Sequence, residues 1–435
     1  MIRPAIRLAI LGGILVALTL AGLSLHTPGA GTIGSPRSQI ELVILLCASG
    51  LVYFAAVAAV LRWRVRAVWL VLLVAAAMRL PLIVSPPFLS SDLFRYVWDG
   101  RVQAAGINPY RYIPDDPALA ALRDAAIYPH INRADYAPTI YPPAAQVIFA
   151  AVGRVWSSIT GLKLAMAGFE ALTVVCLLGL LKAARLPAER VLIYAWNPLP
   201  VWAFAGNGHV DAAVCGFVAL ALLLRVRRLN GWAGVALGAA VLTKFLPAAI
   251  APVLWSRRGG WRLAVAAVAT VLGLYALYIS AGWRVFGFLG GYSAEEGLDN
   301  GSGIWLLKGL ATVLPLPAMA PKLYLAALAL LLAGMGCWFA FVRRPDNAVA
   351  VCSAAGATVA VLMAGIGPHY PWYFAWLAVP GAVAPSPAVL WLATAPVLMY
   401  LATYSDGILW PDVVFLPAIL LAFWRPSAAF PKEMT

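Results

Sequence analysis

Charge is scarce in this chain, and acid is scarcer than base. Its 435 residues hold 17 Asp and Glu against 31 Lys and Arg, and charged residues make up only 11% of the total. A water-soluble globule of this length is excluded, because 63% hydrophobic residues and a mean hydropathy of +0.87 exceed what one core could hide. Nor is there a nucleic-acid footprint. The formal charge of +14 is scattered in short basic clusters between apolar runs, as the positive-inside rule expects of loops that stay in the cytoplasm. Cysteine chemistry is also lacking: Cys47, Cys176, Cys215, Cys337 and Cys352 lie inside apolar runs, without metal-ligand spacing or a disulfide framework, and are expected as small packing residues. No solenoid period or inverted repeat is visible. No clear cleavage site follows the first apolar stretch after Arg3 and Arg7, so that stretch is expected to remain as a span.

What is present is a succession of apolar runs, each near the ~20 residues a bilayer crossing needs. They predict an all-α polytopic membrane protein of about 12–14 transmembrane or half-spanning helices, with both termini in the cytoplasm. Basic markers at Arg62, Arg64 and Arg66, at Lys182, Arg185 and Arg190, at Arg225, Arg227 and Arg228, at Arg343 and Arg344, and at Lys432 set the inner side. Three parts follow: an N-terminal hairpin over 1–66, a central module over 67–280 with a long outer loop at 85–140, and a C-terminal module over 281–435 with a second outer loop at 281–308.

Two runs break the parity of simple crossings. Tyr141–Ser158 carries Gln146 and Arg154 and is expected as a helix lying on or dipping into the outer leaflet. Gly231–Trp255 has basic residues at both ends and Pro247 near its middle, which predicts two half-helices that dip in and return. Lys244 stands beside that break. A lysine at membrane depth costs about 2.5–3.5 kcal/mol on insertion scales, so it should have an anionic partner, a phosphate among them, unless it snorkels to the interface.

On this threading the unusual polar motifs all reach the outer side. Asp92, Arg95, Tyr96 and Asp99 follow i, i+3, i+4, i+7 spacing, so a helix presents them on one face, with Leu93, Phe94, Val97 and Trp98 opposite. Asp92 would fall in the first turn, where the helix dipole favours the ionised carboxylate. The same pattern also fits an interfacial helix with ordinary Asp–Arg pairs and no chemistry. Asn207, His209 and Asp211 crowd beside Gly206 and Gly208, and His369 lies between Pro368 and Pro371. Neither histidine is in a strong metal motif. Aromatics beside these groups, Tyr110, Tyr141, Tyr370 and Trp372, are suited to stacking on sugar faces as well as to membrane-interface belts.

These motifs, in their order, carry a resemblance. An aspartate in the first long outer loop, followed by Asp99-Gly-Arg101 and Gly106-Ile-Asn-Pro-Tyr110, then Tyr141-Pro-Pro143, Gly206-Asn-Gly-His209, Thr243-Lys-Phe-Leu-Pro247 and His369-Tyr-Pro-Trp-Tyr373, resembles the polyprenol-phosphate-dependent glycosyltransferases of the GT-C superfamily. Within it the chain is most similar to the bacterial mannosyltransferase branch near family 87, which includes α-1,6-mannosyltransferases of lipomannan synthesis. The resemblance runs from about Ala67 to Tyr373, which leaves the first two spans as an N-terminal addition. It implies a GT-C-type bundle and a catalytic aspartate at Asp92. This chain has Ser91-Asp92 where many relatives carry two adjacent acids, so the metal-dependent members are poorer guides and no metal cofactor is expected.

The implied reaction moves a hexose, mannose by resemblance, from a polyprenyl-phosphate sugar to a saccharide or glycolipid acceptor outside the cytoplasm, with inversion. Arg95, Arg101, Lys244 and His369 are the expected phosphate ligands. Tyr96, Asp99, Asn108, Tyr110, Tyr141, Asn207, His209, Asp211, Tyr370 and Trp372 are the expected sugar or acceptor contacts. The rival is a transporter or lipid flippase, which would instead favour ionisable residues at the midplane on paired broken helices. The bilayer is a partner on either reading, and nucleic acid on neither.

Overall fold

The computed structural model describes residues 4–25, 35–63, 65–404 and 409–424. The expected cytoplasmic markers Arg3, Arg64 and Lys432 lie outside them. The protein is 75% helical with no strands among the described residues. Lipid dictates this, since backbone groups without water must bond within their own segment.

In chain order, α1 (Pro4–Ser24) and α2 (Pro36–Arg62) pack on each other and precede α3 (Val68–Val84). The short α4 (Asp92–Ala104) and α5 (Pro143–Trp156) bracket the long loop, and α6 (Ile159–Ala183) follows. A broken run comes next: α7 (Leu192–Ala195), α8 (Pro198–Pro200) and a π-turn over Val201–Gly206. Then come α9 (Asp211–Val226), α10 (Asn230–Val241), α11 (Ala251–Leu254) and α12 (Gly260–Ala276). α13 (Leu289–Glu295), α14 (Trp305–Ala311), α15 (Ala320–Cys337), α16 (Ala348–Ile366), α17 (Ala378–Val383), α18 (Pro387–Leu392) and α19 (Leu409–Phe423) complete the chain.

Among the described residues, five helices are long and apolar enough to cross a membrane: α1, α2, α6, Ala320–Arg343 and α16. The remaining runs are shorter or broken, so the expected dozen crossings resolve into full spans and partial ones. α12 bends by 110° into Ile279–Glu295, which turns the expected second outer loop into a helical arm set across the bundle.

The N-terminal hairpin is not a separate body. A Cβ on Gly12 would come within 2.8 Å of the Val74 side chain in α3, and one on Gly22 within 2.6 Å of Trp202. Tyr53 of α2 donates to the Ile193 carbonyl at 2.8 Å. The predicted re-entrant hairpin is present in shape. At one end of α9, Arg225 donates to the carbonyls of Leu254, Trp255 and Pro345. At the other end Asp211 meets Lys244, in the break between α10 and the turn at Leu246–Ile250. The chain from Asn230 to Trp255 therefore climbs along α9, about 24 Å for sixteen residues, and returns.

The amphipathic α5 lies against α4 rather than along a span. The two helices touch backbone to backbone: a Cβ on Gly100 would sit 2.3 Å from the Phe149 carbonyl oxygen, and one on Gly153 would sit 2.2 Å from the Gly100 oxygen. Glycine at both crossing points is what permits this contact. Of the cysteines, Cys176, Cys215 and Cys352 are buried as expected, whereas Cys337 is exposed on the apolar surface of α15.

Candidate functional site

A cavity of about 370 Å3 opens where five segments meet: the start of α4, the 133–142 stretch of the long loop, the break at 244–246, the arm at 289–303 and the 366–373 turn. Local rules place each segment. α3 ends at Val84, and the buried Lys163 of α6 caps it by donating to the Leu82 and Ser85 carbonyls at 3.1 and 2.7 Å. The turn that follows is pinned by Asn207, whose Oδ1 accepts from the Phe88 and Leu89 amides at 2.9 and 2.7 Å. α4 then begins on Asp92, so the acid lands in the first turn. On the far wall, α16 ends in Gly367 with φ +61°, and this left-handed residue sends Pro368–Tyr373 across the cavity.

Asp92 is 21% exposed, toward the cavity. Its Oδ1 accepts from Asn132 Nδ2 at 2.8 Å, and its Oδ2 lies 3.9 Å from His209 Nδ1, beyond hydrogen-bond range. Burial raises this carboxyl above the ordinary carboxylate value, against Lys244, the Asn132 hydrogen bond and Arg133, which pull it down. Lys244 has the anionic partner its position demanded: Nζ lies 2.9 Å from Asp211 Oδ2 and 3.8 Å from the Tyr373 ring centroid. Asp211 also accepts from Trp376 Nε1 at 3.0 Å. His209 is fully buried and stacked on Trp372 at 3.7 Å, with Tyr370 stacked on the other side of that indole at 4.8 Å. Neither ring nitrogen of His209 has a hydrogen-bond partner among the described residues. His369 is half-exposed, its Nδ1 3.4 Å from Glu296.

Of the residues singled out from sequence, Asp92, Tyr141, Lys244, His369, Tyr370 and Trp372 line this cavity, and His209 and Asp211 touch its lining from behind. The others are held elsewhere. The helical spacing put Arg95, Tyr96 and Asp99 on Asp92's face, but the structure buries them. Arg95 pairs with Asp99 at 2.9 Å, Thr139 and Gln146 saturate the other Asp99 oxygen, and Tyr96 stacks on Phe149. Arg101 pairs with Asp124 at 2.6 Å instead of reaching a phosphate site. Asn108 bonds Ser280 at 2.9 Å, Tyr110 donates to the Tyr141 carbonyl at 2.7 Å, and Asn207 is a buried strut. The structure thus holds these residues in contacts off the cavity lining, for one reason: sequence spacing shows which residues share a face and is silent about what covers it.

Several lining or supporting residues carry no sequence signal that was read. Asn132 and Arg133 sit in irregular loop, and Tyr292, Glu295 and Glu296 sit in the bent arm. The pair of acids in an otherwise acid-poor outer loop was the one available hint. Among the described residues no group of three or more His, Cys, Asp or Glu is arranged to hold a metal.

A protein family described as alpha-(1→6)-mannopyranosyltransferase, N-terminal domain, matches residues 5–257. The chain belongs to this family. The match takes in α1 and α2, so the hairpin expected as an addition is part of the family's own domain. It also takes in Asp92, Asn132, Arg133, His209, Asp211 and Lys244, while the arm and the 366–373 turn lie beyond it. No curated protein and no solved structure matches the chain. The protein is thus a multi-pass membrane glycosyltransferase of a mannosyltransferase family.

Proposed function

We propose that this mannosyltransferase uses a β-linked polyprenyl-phosphate mannose as donor, on the extracytoplasmic side of the cytoplasmic membrane, and delivers mannose with inversion to the 6-hydroxyl of a saccharide or glycolipid acceptor. The observation that carries the reading is that the poised carboxylate of Asp92 and the ammonium of Lys244 meet on the wall of a largely apolar cavity. A lipid phosphate leaves as an anion and needs no general acid, so a single carboxylate suffices to take the proton from the acceptor hydroxyl. A glycosidase would place two free carboxylates across the scissile bond, whereas the cavity's other carboxylate, Glu296, faces His369 at 3.4 Å. Lys244 faces the charge that grows on the leaving phosphate. Phe245, Leu246, Leu298 and Ile366 suit the first isoprene units, and the Tyr370–Trp372 stack suits a sugar face. The α-(1→6) linkage comes from the family description. With a lysine at the phosphate and Ser91 beside Asp92, the reaction proceeds without a metal.

The test is transfer by the purified protein in the presence of chelator, with polyprenyl-phosphate mannose and GDP-mannose offered separately. Transfer from the lipid donor alone, giving an α-anomeric product, is the expected result. Use of GDP-mannose, or loss of activity in chelator, ends the proposal. Lys244→Ala should raise the donor KM more than the acceptor KM; equal rises would take Lys244 away from the phosphate.

A further inference from the structure

The charge balance of that reaction leaves one cation unaccounted for. The donor phosphodiester carries one negative charge. As its C1–O bond breaks, the electron pair stays on the phosphate oxygen. A new C1–O bond forms to the acceptor, and the acceptor proton passes to Asp92. The departing polyprenyl phosphate is then a dianion, and Lys244, already paired with Asp211 at 2.9 Å, is poorly matched to a doubly charged group.

A second cation lines the same cavity. Arg133 is held by Glu295, Nε to Oε2 at 2.6 Å, and its guanidinium lies 5.6 Å from the Tyr292 ring centroid. Glu295 also accepts from the Tyr136 hydroxyl at 2.9 Å. The pair bridges the long loop to the arm, and so does the Phe288 amide bonded to the Thr139 carbonyl at 3.2 Å. The ion pair is partly exposed, 22% on the arginine and 31% on the glutamate, so it is reached from the cavity side by solvent and by a competing anion. The Arg133 backbone is also unusual. Its φ is +55°; the other non-glycine residues with positive φ, Arg185, Arg228 and Arg344, all follow helix C-termini where that conformation is common. At Arg133 no helix end requires it, and such strain persists where surrounding contacts fix it, often at ligand-gripping turns. The residue before it, Asn132, is the one that holds Asp92.

We propose that Arg133 is the second phosphate-binding cation of the donor site, paired with Glu295 here and transferred to the phosphate as negative charge develops there. This rests on the lipid-phosphate donor reading above. An arginine offers a phosphate two parallel charge-assisted hydrogen bonds, stronger than the exposed single contact it makes to Glu295. The exchange removes one tie between the long loop and the arm, while the Tyr136 hydroxyl on Glu295 and the Phe288 amide on Thr139 still join them.

The test compares donor KM, acceptor KM and inhibition by polyprenyl phosphate in full-length Arg133→Gln, Arg133→Lys and Glu295→Gln. Arg133→Gln should weaken polyprenyl phosphate binding by about ten- to a hundredfold, more than it raises the donor KM, because the product carries the extra charge. Arg133→Lys should recover part of the loss. Glu295→Gln should act in the opposite direction and tighten polyprenyl phosphate, since it frees the arginine. The proposal is overturned if Arg133→Lys and Arg133→Gln change the acceptor KM alone. It is equally overturned if Glu295→Gln and Arg133→Gln weaken product binding together, as a purely structural strap would. Failure of the wild-type protein to use any lipid-phosphate donor would instead strike the donor reading itself.

Discussion

Asp92 and Asp99 stand two turns apart on one helix, both acidic and both beside an arginine in sequence or in space, yet their surroundings differ in kind. Asp99 is saturated: Oδ1 accepts from Arg95 at 2.9 Å, and Oδ2 accepts from Thr139 at 2.5 Å and Gln146 at 2.9 Å. Gln103 and Tyr278 extend this network. Asp92 keeps one oxygen on Asn132 and leaves the other without a bond, facing the cavity. A buried carboxylate bonded at both oxygens and off the cavity wall holds loops together and does not meet a substrate hydroxyl. One on that wall with a free lone pair and a raised affinity for protons can take the hydroxyl's proton. The difference separates scaffold from chemistry on a single helix, and it can be broken from either side.

The largest effect is expected at the free carboxylate. Asp92→Asn should lower kcat by about 10²- to 10⁴-fold, the range a positioned general base supplies, while the thermal midpoint in detergent stays near that of the wild type. Retained turnover in the purified protein would remove Asp92 from the base role and erase the contrast. At the saturated carboxylate the outcome should invert. Asp99→Ala leaves the buried Arg95 guanidinium unpaired, which costs about 3–5 kcal/mol of stability. A large drop in melting temperature is the expected reading, and an Asp99→Ala protein that melts normally but is inactive would move Asp99 into the active site.

How far the sequence could carry this is visible residue by residue. The apolar run between the basic pair Arg343/Arg344 and Gly367 marks a span by itself, and α16 fills it, because a long uninterrupted run between turn residues has one solution in lipid. The amphipathic reading of Tyr141–Ser158 and the broken run of Gly231–Trp255 also follow from charge placement, and the chain forms α5 in the first and a helix ending before Lys244 in the second. Asp92, Lys244 and the His369–Tyr373 turn were legible as chemistry because each put a costly group where plain packing had no use for it. The split of α4 was not legible, since Thr139 and Gln146, which cover Asp99, come from about forty residues downstream. Lys163 read as part of an ordinary span, although its ammonium caps α3 and thereby fixes where α4 begins. Asn132, Arg133 and Glu295 have no periodic pattern at all, and only the meeting of two loops gives them meaning.

The smallest effect is the most discriminating, because it tunes the free carboxylate without removing it. The hydrogen bond from Asn132 favours the ionised form of Asp92, as do Lys244 and Arg133, while burial and Asp211 oppose it. A base must be ionised to act, so kcat/KM should fall on the acidic side, along a limb that lies above the ordinary carboxylate range. Asn132→Ala removes one support of the charged form and should move that limb to higher pH. At pH values well above the limb the variant should lose little, because Asp92 is then ionised in both proteins. The proposed phosphodiester donor does not titrate in this region, so on that reading the shift belongs to the enzyme. A limb that moves to lower pH, or stays in place while kcat falls equally at every pH, would mean that Asn132 supports only the loop and that some group other than Asp92 sets the acidic side of the profile.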